Sequence, residues 1–343
     1  MKRKIVTGLA SFGMSGKVFH APLLSSHHGF RLKTIVERSK NEARSIYPDV
    51  EVVCSFDDLL NDGEIDLIII NTPDHTHAEF VHKALMADKH VIVEKPFTQH
   101  VSEAEDLLNL ASKKKKLLSV FHNRRWDGDF LTVQKIIQSE ALGRLVEFEA
   151  HFDRFRNYIQ DSWKEKACFG TGTLYNLGSH LIDQALVLFG MPEAITADLR
   201  ILREGGQVDD FFEVIMHYND VRVALKATYL AKEPSPRYVL HGTKGSFVKY
   251  GIDPQEEALK NGRSPLEPDW GIEAEEWWGK LNTDNFQGKF QTLPGNYMAF
   301  YDNIYDVLVN NGKLAVKPQE AIGVIKVIEA ALESSEDRIT VEF

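Results

Sequence analysis

Short apolar runs alternate with helical patterns through the first third of the chain, and this alternation limits the choice of fold more than any other feature. The runs cover residues 5–10, 32–39, 65–70, 90–93 and 117–121. Most of them lack a polar residue at every second position, as expected of strands that are buried on both faces. Such strands with helices between them are typical of a doubly wound parallel sheet. We therefore predict an α/β domain at the start of the chain.

The first strand leads directly into a glycine-rich turn. Its residues are Ser11, Phe12, Gly13, Met14, Ser15 and Gly16. The spacing is that of the dinucleotide motif G-x-G-x-x-G, although serine in the first glycine position weakens the match. Gly13 would let the backbone approach a pyrophosphate, and Gly16 would let the following helix pack closely, with its N-terminal N–H groups facing the anion. We predict that these six residues bind a dinucleotide in a Rossmann domain.

Three residues at the end of the second strand bear on the choice of cofactor, because that position faces the adenosine ribose. Glu37 would accept a hydrogen bond from a free 2′-hydroxyl, which favours NAD. Arg38 and Ser39 would hold a 2′-phosphate, which favours NADP. A solvated strand end is the alternative for all three residues. We favour NADP and keep NAD as the second choice.

A polar loop follows the third strand. Asp74, His75 and His77 are close enough in sequence to suggest metal ligands, but no further set of ligands accompanies them. A loop in which Thr76 or Asp74 caps the next helix explains the same residues. We therefore predict no metal site.

The fourth strand ends at Glu94, Lys95 and Pro96. Ligands of open α/β sheets bind outside the carboxyl ends of the strands, so Lys95 lies where chemistry usually takes place. A lysine that merely carries its charge from the sheet into water is the alternative, and position alone does not decide between the two.

Asn123, Arg124 and Trp126 follow the fifth strand, at the same edge of the predicted sheet. In isolation, the adjacent Arg124 and Arg125 are best explained by salt bridges at a domain boundary. Beside a cofactor cleft, at least one of them becomes a candidate for binding a ligand.

The pattern changes to period two from about residue 145. Stretches within 145–154, 194–203, 210–218, 221–229 and 237–249 alternate, which indicates a largely antiparallel sheet with one buried face. We predict a dinucleotide-binding domain over 1–122 and an α+β domain for substrate binding and oligomerisation over 123–343. The uncovered face of the second sheet is a candidate contact for a homodimer or homotetramer.

Three segments complete the second domain. Residues 251–295 are rich in proline, glycine and tryptophan, and we predict a long irregular excursion that serves as a lid or an interface loop. Amphipathic helices are predicted at 296–310 and 318–334, and the second is a candidate to pack back on the first domain.

A helix predicted within 170–190 carries Asn176, His180 and Asp183 on one side, at i, i+4 and i+7. A satisfied core histidine is the commoner explanation for such a residue. A general acid or base, however, needs neighbours of this kind to orient it. We treat His180 as a candidate catalytic residue and the other two as candidates for substrate binding.

Composition excludes several classes of protein. The 343 residues carry a formal net charge of -10, so the chain lacks the basic excess of nucleic-acid binders. No apolar run reaches the roughly 20 residues that span a bilayer. Cys54 and Cys168 are too far apart in sequence to suggest a disulfide framework. We expect a cytoplasmic protein that binds neither nucleic acid nor membrane.

The motifs resemble those of the glucose-fructose oxidoreductase, inositol dehydrogenase and MocA (Gfo/Idh/MocA) family over the whole chain. The marks are the S-x-G-x-x-G turn, Thr72-Pro73, Glu94-Lys95-Pro96, and Gly178-Ser179-His180-Leu181-Ile182-Asp183. Within the family, residues 13–23, 121–127 and 247–253 resemble the branch that contains NADP-dependent scyllo-inositol 2-dehydrogenase.

The resemblance implies hydride transfer between a nicotinamide and the CH–OH group of a cyclitol, sugar or related polyol, with a scyllo-inositol-like substrate favoured. It implies that Lys95 contacts the reacting hydroxyl and that His180 is the acid or base. Asn176 stands where many members carry aspartate, and an amide takes up no proton, so the three-residue relay of the family is in doubt here. Beyond the glycine-rich turn, the implied cofactor residues are Arg38, Ser39, Thr72, Pro73, His77, Glu94 and Lys95, and the implied substrate residues are Asn123, Arg124, Trp126, Asn176 and Asp183.

A regulatory protein of the same fold that senses NAD(P) and acts through a protein partner is the alternative function. Such a protein has no need of Lys95 and His180, so their presence favours an enzyme. A protein that only binds sugar does not explain the dinucleotide fold.

Overall fold

The computed structural model describes residues 3–343. Its strands are β1 (Ile5–Leu9), β2 (Phe30–Val36), β3 (Glu51–Val53), β4 (Leu67–Ile70), β5 (His90–Val93), β6 (Leu118–Val120), β7 (Leu145–His151), β8 (Ala194–Arg200), β9 (Phe211–His217), β10 (Arg222–Thr228), β11 (Tyr238–Gly242), β12 (Gly245–Lys249), β13 (Gly279–Thr283), β14 (Phe286–Phe290) and β15 (Val341–Glu342). Its α-helices are α1 (Ala21–Ser26), α2 (Glu42–Ile46), α3 (Phe56–Asn61), α4 (His77–Met86), α5 (Val101–Lys114), α6 (Gly128–Gln138), α7 (Ser179–Phe189), α8 (Gln255–Lys260), α9 (Met298–Asn310) and α10 (Pro318–Asp337). Within this described part, no helix is both long enough and apolar enough to cross a membrane.

The chain divides into two compact units. The first takes in the chain up to Trp126 together with Pro254–Trp270 and Asn296–Ile322, and the second takes in Asp127–Asp253, Gly271–Gly295 and Gly323–Phe343. The compact units therefore interleave along the chain. The single domain boundary at residue 122 stays a prediction.

The first unit contains a six-stranded sheet in the order β3-β2-β1-β4-β5-β6, in which every pair is parallel. The predicted doubly wound α/β architecture is confirmed. β4 is buried along its whole length, which explains why its sequence shows no alternation. Because the strands are parallel, their carboxyl ends lie on the same side of the sheet. The residues that follow β1, β2, β4, β5 and β6 therefore all emerge on that side.

The second unit contains a nine-stranded sheet in the order β14-β13-β12-β11-β7-β10-β9-β8-β15. Only β7 and β10 pair in parallel within this sheet, and the prediction of a largely antiparallel sheet is confirmed. Alternate residues of β9 are fully buried, namely Phe212, Val214 and Met216. α7 packs against β10, and the residues between the buried ones lie on the more exposed face.

Two segments differ from the sequence prediction. β3 was missed because it is a three-residue strand at the edge of the first sheet, with little burial to impose a pattern. The prediction that 251–295 is irregular was wrong, since the segment contains α8 and the antiparallel hairpin of β13 and β14. Glycine within both short strands, at Gly279 and Gly288, hides their β character.

Candidate functional site

The glycine-rich turn after β1 is held by Asn71, at the end of β4. The Ser11 N–H donates to Asn71 Oδ1 at 2.9 Å, and Ser11 Oγ donates to the Asn71 backbone oxygen at 2.8 Å. Asn71 Nδ2 in turn donates to the Ser11 backbone oxygen at 2.9 Å. The serine in the first glycine position therefore fixes the turn through its own hydroxyl, which accounts for this departure from the motif.

The two glycines of the turn have different surroundings. A Cβ at Gly16 would lie 2.6 Å from the Ser11 backbone oxygen, so only glycine lets the helical segment that begins there approach the strand this closely. A Cβ at Gly13 would meet only Ser11 Oγ, at 3.8 Å, so the backbone there borders open space. A phosphate group can approach Gly13 from that side, and the turn therefore fits the pyrophosphate of a dinucleotide.

A cleft of about 550 Å³ lies at the carboxyl ends of the strands of the first sheet. It brings together six of the predicted cofactor residues, namely Ser11, Phe12, Arg38, Ser39, Thr72 and Pro73. Four further polar residues line it that the sequence analysis did not assign to the cofactor, namely Lys40, Ser55, His75 and Thr76. A cleft of this size beside the glycine-rich turn, lined by both apolar and polar side chains, fits the adenosine half of a dinucleotide.

Glu37 borders the same cleft, but its carboxylate is engaged by α2. Oε1 accepts the Glu42 N–H at 3.2 Å, and Oε2 accepts the Ala43 N–H at 2.9 Å. A carboxylate at a helix N-terminus satisfies backbone donors that have no partner within the helix. Glu37 thus serves the start of α2, while Arg38 and Ser39 are its neighbours in the cleft lining.

His77 ties together the loops that follow β4 and β5. Its Nδ1 lies 2.8 Å from the Pro96 backbone oxygen, and its Nε2 lies 3.0 Å from the Thr72 backbone oxygen. The structure places this predicted cofactor residue behind the loops and buries it completely. Thr76 stands at the N-cap of α4, but its hydroxyl donates to the Pro73 backbone oxygen at 2.6 Å and makes no cap bond, so the predicted cap by Thr76 is wrong.

Glu94 and Lys95 emerge from β5 at the carboxyl edge of the sheet. The Glu94 N–H donates to the Ile70 backbone oxygen at 2.8 Å, which extends the pairing with β4 up to the residue before Lys95. Glu94 Oε1 lies 3.0 Å from His20 Nε2. Burial alone would raise the pKa of Glu94, but the hydrogen bond from His20 and the nearby positive charges lower it below its usual value. Lys95 therefore follows a residue whose carboxylate stays ionised.

Asn123, Arg124 and Trp126 lie on a short 3₁₀ turn after β6. The Arg124 guanidinium forms an ion pair with Glu256 on α8 and lies 3.5 Å from the Tyr297 hydroxyl. Burial alone would raise the pKa of Glu256, but the charges of Arg124 and Lys260 lower it to about 2. This ion pair supports the salt-bridge interpretation of Arg124 over direct contact with a ligand.

Asn176, His180 and Asp183 lie in the second unit. Asn176 is on a π-helical turn, Leu174–Gly178, which continues into α7 with His180 and Asp183 buried. Lys164 Nζ donates to Asn176 Oδ1 at 3.2 Å. This contact fixes the orientation of the amide and turns its N–H groups away from Lys164. Lys164 was missed from the sequence because it lies far from any motif, in an irregular segment.

Asp209 anchors the start of this helical segment. Its Oδ2 accepts the Leu174 N–H at 2.7 Å, and its backbone oxygen accepts the Thr173 N–H at 2.9 Å. Gly172 precedes them with φ of +99°, and a Cβ there would lie 2.0 Å from Asp209 Oδ1. The turn therefore requires glycine, and the carboxylate takes the place that a side chain would need. Asp209 lies in no motif, so no sequence pattern indicates this role.

Replacing Asp209 by asparagine is expected to stabilise the protein above pH 6. Burial raises the pKa of Asp209 to about 6, although backbone hydrogen bonds oppose the shift. Because the folded pKa exceeds the unfolded one, the stability that this group contributes is present at low pH and is lost as the pH rises through about 6. Asparagine still accepts the Leu174 N–H without ionising. Denaturant unfolding should give Asp209→Asn an advantage of about 1–2 kcal/mol at pH 8 that shrinks toward pH 4; a constant difference at all pH values would contradict this.

Two models of one protein family match this chain. The model of an oxidoreductase family with an NAD-binding Rossmann fold matches residues 5–122, and the model of its C-terminal alpha/beta domain matches residues 134–343. The chain belongs to the Gfo/Idh/MocA family. The two models together cover most of the chain, so the resemblance drawn from the motifs is confirmed.

Two curated relatives and one solved structure are similar over nearly the whole chain. The uncharacterised oxidoreductase YdgJ of Escherichia coli K12 is 43% identical over 99% of both chains. The scyllo-inositol 2-dehydrogenase (NADP(+)) IolW of Bacillus subtilis 168 is 40% identical over 99% of this chain and 97% of its own. A Bacteroides fragilis NCTC 9343 protein described as an oxidoreductase has a crystal structure that matches with a TM-score of 0.92 and 50% identity, over 99% of this chain and 100% of that chain. This member of the family is an NAD(P)-dependent dehydrogenase.

Proposed function

We propose that this dehydrogenase uses NADP and acts on the CH–OH group of a cyclitol, sugar or related polyol, with a scyllo-inositol-like compound as the favoured substrate. The observation that carries the proposal is the 40% identity to the NADP-dependent IolW over nearly the whole of both chains. Lys95 and His180, each within a motif typical of the family, support it. When bound, the nicotinamide exchanges a hydride with the substrate carbon.

The residues of the chain then bind the substrate and move the proton. Lys95 would donate to the reacting oxygen, and His180 would take the hydroxyl proton during oxidation and return it during reduction. Asn176, with its oxygen held by Lys164, presents N–H donors and so orients a substrate oxygen without carrying a proton. Asp183, one turn beyond His180, would orient the imidazole, and Asn123 and Trp126 are further candidates to contact the substrate.

A panel of substrates tests this assignment. Purified protein is mixed with NADP or NAD and with each of a set of cyclitols, aldoses and linear polyols, and nicotinamide absorbance is followed. We expect turnover with at least one cyclic polyol and higher kcat/KM with NADP. Absence of turnover across the panel with both cofactors, in either direction, would exclude the proposed substrate class.

The preference for NADP rests on the end of β2. Arg38, Ser39 and Lys40 line the cleft and supply donors for a 2′-phosphate, whereas the Glu37 carboxylate, which would select a free 2′-hydroxyl, already accepts two N–H groups of α2. A guanidinium suits a phosphate because it donates two parallel hydrogen bonds.

Replacing Arg38 by alanine is expected to weaken NADP binding by about 10- to 100-fold, the usual cost of a hydrogen bond between charged groups. The Kd for NAD should stay within about twofold, since NAD has no 2′-phosphate to lose that contact. Fluorescence titration of NADPH and NADH measures both. Arg44→Ala, an exposed arginine on α2, is the matched control. Equal loss for both cofactors would show that Arg38 supports the loop and does not clamp the phosphate.

We also propose that two or four copies assemble through the more exposed face of the nine-stranded sheet. That face carries charges of both signs, for example Arg222 with Glu147 at 3.1 Å and with Glu149 at 3.3 Å. A face of this kind can meet a second copy of itself around a twofold axis. Analytical ultracentrifugation of the wild type and of Arg222→Glu checks this, and a wild type that sediments as a monomer at micromolar concentration would refute it.

A cytoplasmic location fits the free cysteines of the chain. Cys54 and Cys168 are both exposed and unpaired as thiols. Exposed thiols persist best in a reducing compartment. Fractionation of cells with an antibody to the protein tests this, and recovery from an extracytoplasmic fraction would refute it.

A further inference from the structure

A buried chain of hydrogen bonds ends at the residue before Lys95. His20 Nε2 lies 3.0 Å from Glu94 Oε1, and His20 Nδ1 lies 2.7 Å from the Tyr301 hydroxyl. The side chains of His20 and Tyr301 are fully buried, and that of Glu94 is 13% exposed. Three polar groups from segments far apart in sequence therefore meet in the first unit, and the proposed function uses neither the histidine nor the tyrosine.

The surroundings of this chain are aromatic. The His20 ring lies 4.4 Å from the Phe121 ring, and the Tyr301 ring lies 5.6 Å from Phe30 and 5.4 Å from Phe300, measured between centroids. Polar groups in such a place are costly unless each has a partner. Apolar side chains of similar size would pack there equally well. Packing alone therefore does not account for a histidine and a tyrosine here.

The phenol at one end of this chain is protonated, because burial and the charge of Glu94 raise the pKa of Tyr301 well above its usual value. His20 places one ring nitrogen on each partner and so links the phenol to the Glu94 carboxylate. The titratable groups that act on Glu94 are His20, Lys95 and His77, and all of them favour its ionised form.

We propose that His20 and Tyr301 are positioning residues for Lys95 and act through Glu94. The second oxygen of Glu94, Oε2, accepts the backbone N–H of Lys95 at 3.2 Å, so a carboxylate fixed by His20 also fixes the point from which the lysine side chain leaves the strand. The charge of Lys95 also lowers the pKa of this carboxylate, so the two groups attract each other. This inference rests on the proposed role of Lys95.

Removing the Tyr301 hydroxyl tests the chain with the smallest change. Tyr301→Phe is expected to lower kcat about tenfold, because small displacements of a catalytic group are expensive, while the KM for NADP stays near the wild-type value. The melting temperature should fall, because His20 Nδ1 loses its partner, so kcat is measured well below the melting temperature of the variant. Tyr305→Phe, one turn further along α9 and packed against His27, is the matched control and should leave kcat unchanged. In a Glu94→Gln background, Tyr301→Phe should cause no further loss, since both changes break one chain.

A spectroscopic measurement tests the same inference without turnover. Nitrogen chemical shifts of histidine-labelled protein report the hydrogen bonds of both His20 ring nitrogens, and Tyr301→Phe and Glu94→Gln should each change the shifts of both. Wild-type kcat in Tyr301→Phe, losses that add to those of Glu94→Gln, or His20 shifts that neither variant changes would each overturn the inference. If Lys95→Ala keeps full activity, the proposed role of the lysine is wrong; if Lys95→Ala is inactive and Tyr301→Phe is not, only the positioning chain is wrong.

Discussion

Replacing Lys95 by alanine is expected to lower kcat by about 10³-fold, within the range that a donor to a developing negative charge contributes. The lysine follows Glu94 at the carboxyl edge of the dinucleotide sheet, where its ammonium group would bind the reacting oxygen and stabilise the negative charge that develops as the hydride moves. Alanine removes this interaction from the transition state and leaves the cleft for adenosine untouched. The Kd for NADPH, from fluorescence titration, should therefore change by less than about threefold while kcat and kcat/KM fall together.

Two further variants sharpen the Lys95 experiment. Lys95→Arg keeps the positive charge in a longer and planar group, so it should recover part of the rate if charge matters and little if geometry dominates. Lys83→Ala removes an exposed lysine that pairs with Glu79 on α4, and it serves as a control for the loss of one surface charge. A Lys95→Ala protein with wild-type kcat would remove the lysine from the chemistry and restore the interpretation of a lysine that merely reaches water.

The fold was largely predictable because burial leaves a clear pattern. Strands covered on both faces, such as β4 and β5, show continuous Val and Ile, and strands covered on one face, such as β9, alternate. β3 and the hairpin of β13 and β14 were not predicted, because short strands at or next to the edge of a sheet bury too little surface to constrain their side chains. Assignment of later segments to the first compact unit depends on tertiary contacts, which no local pattern records.

The site was predictable where function constrains the backbone. Gly16 had to be glycine because the Ser11 backbone oxygen leaves no space for a Cβ, and this produces a motif. Roles that depend on a contact between two side chains produce no sequence motif. Glu37 stands where a ribose ligand is one possibility, but its carboxylate accepts N–H groups of α2. Lys164 and Asp209 matter only through their contacts with Asn176 and Leu174.

The histidine experiment has the other large expected effect. His180→Ala should lower kcat by about 10²- to 10⁴-fold, because oxidation of an alcohol requires the hydroxyl proton to leave as the hydride moves. Asn176 is an amide at the position where many members of the family carry aspartate. An amide takes up no proton, so this position provides no second proton acceptor beside His180. The loss should therefore fall on kcat, while the Kd for NADPH stays close to the wild-type value.

Imidazole rescue distinguishes a lost proton acceptor from a damaged helix. The missing side chain is an imidazole in a buried position on α7, so added imidazole should restore part of the activity of His180→Ala and none of that of Lys95→Ala. His217→Ala is the control, because it removes a histidine from the same unit and should keep full activity. His217 lies on β9, and its ring is hydrogen-bonded to Thr196. If His180→Ala turns over at the wild-type rate, or if rescue also occurs in Lys95→Ala, His180 is not the proton acceptor, and the transfer would have to pass from the substrate oxygen through Lys95 itself.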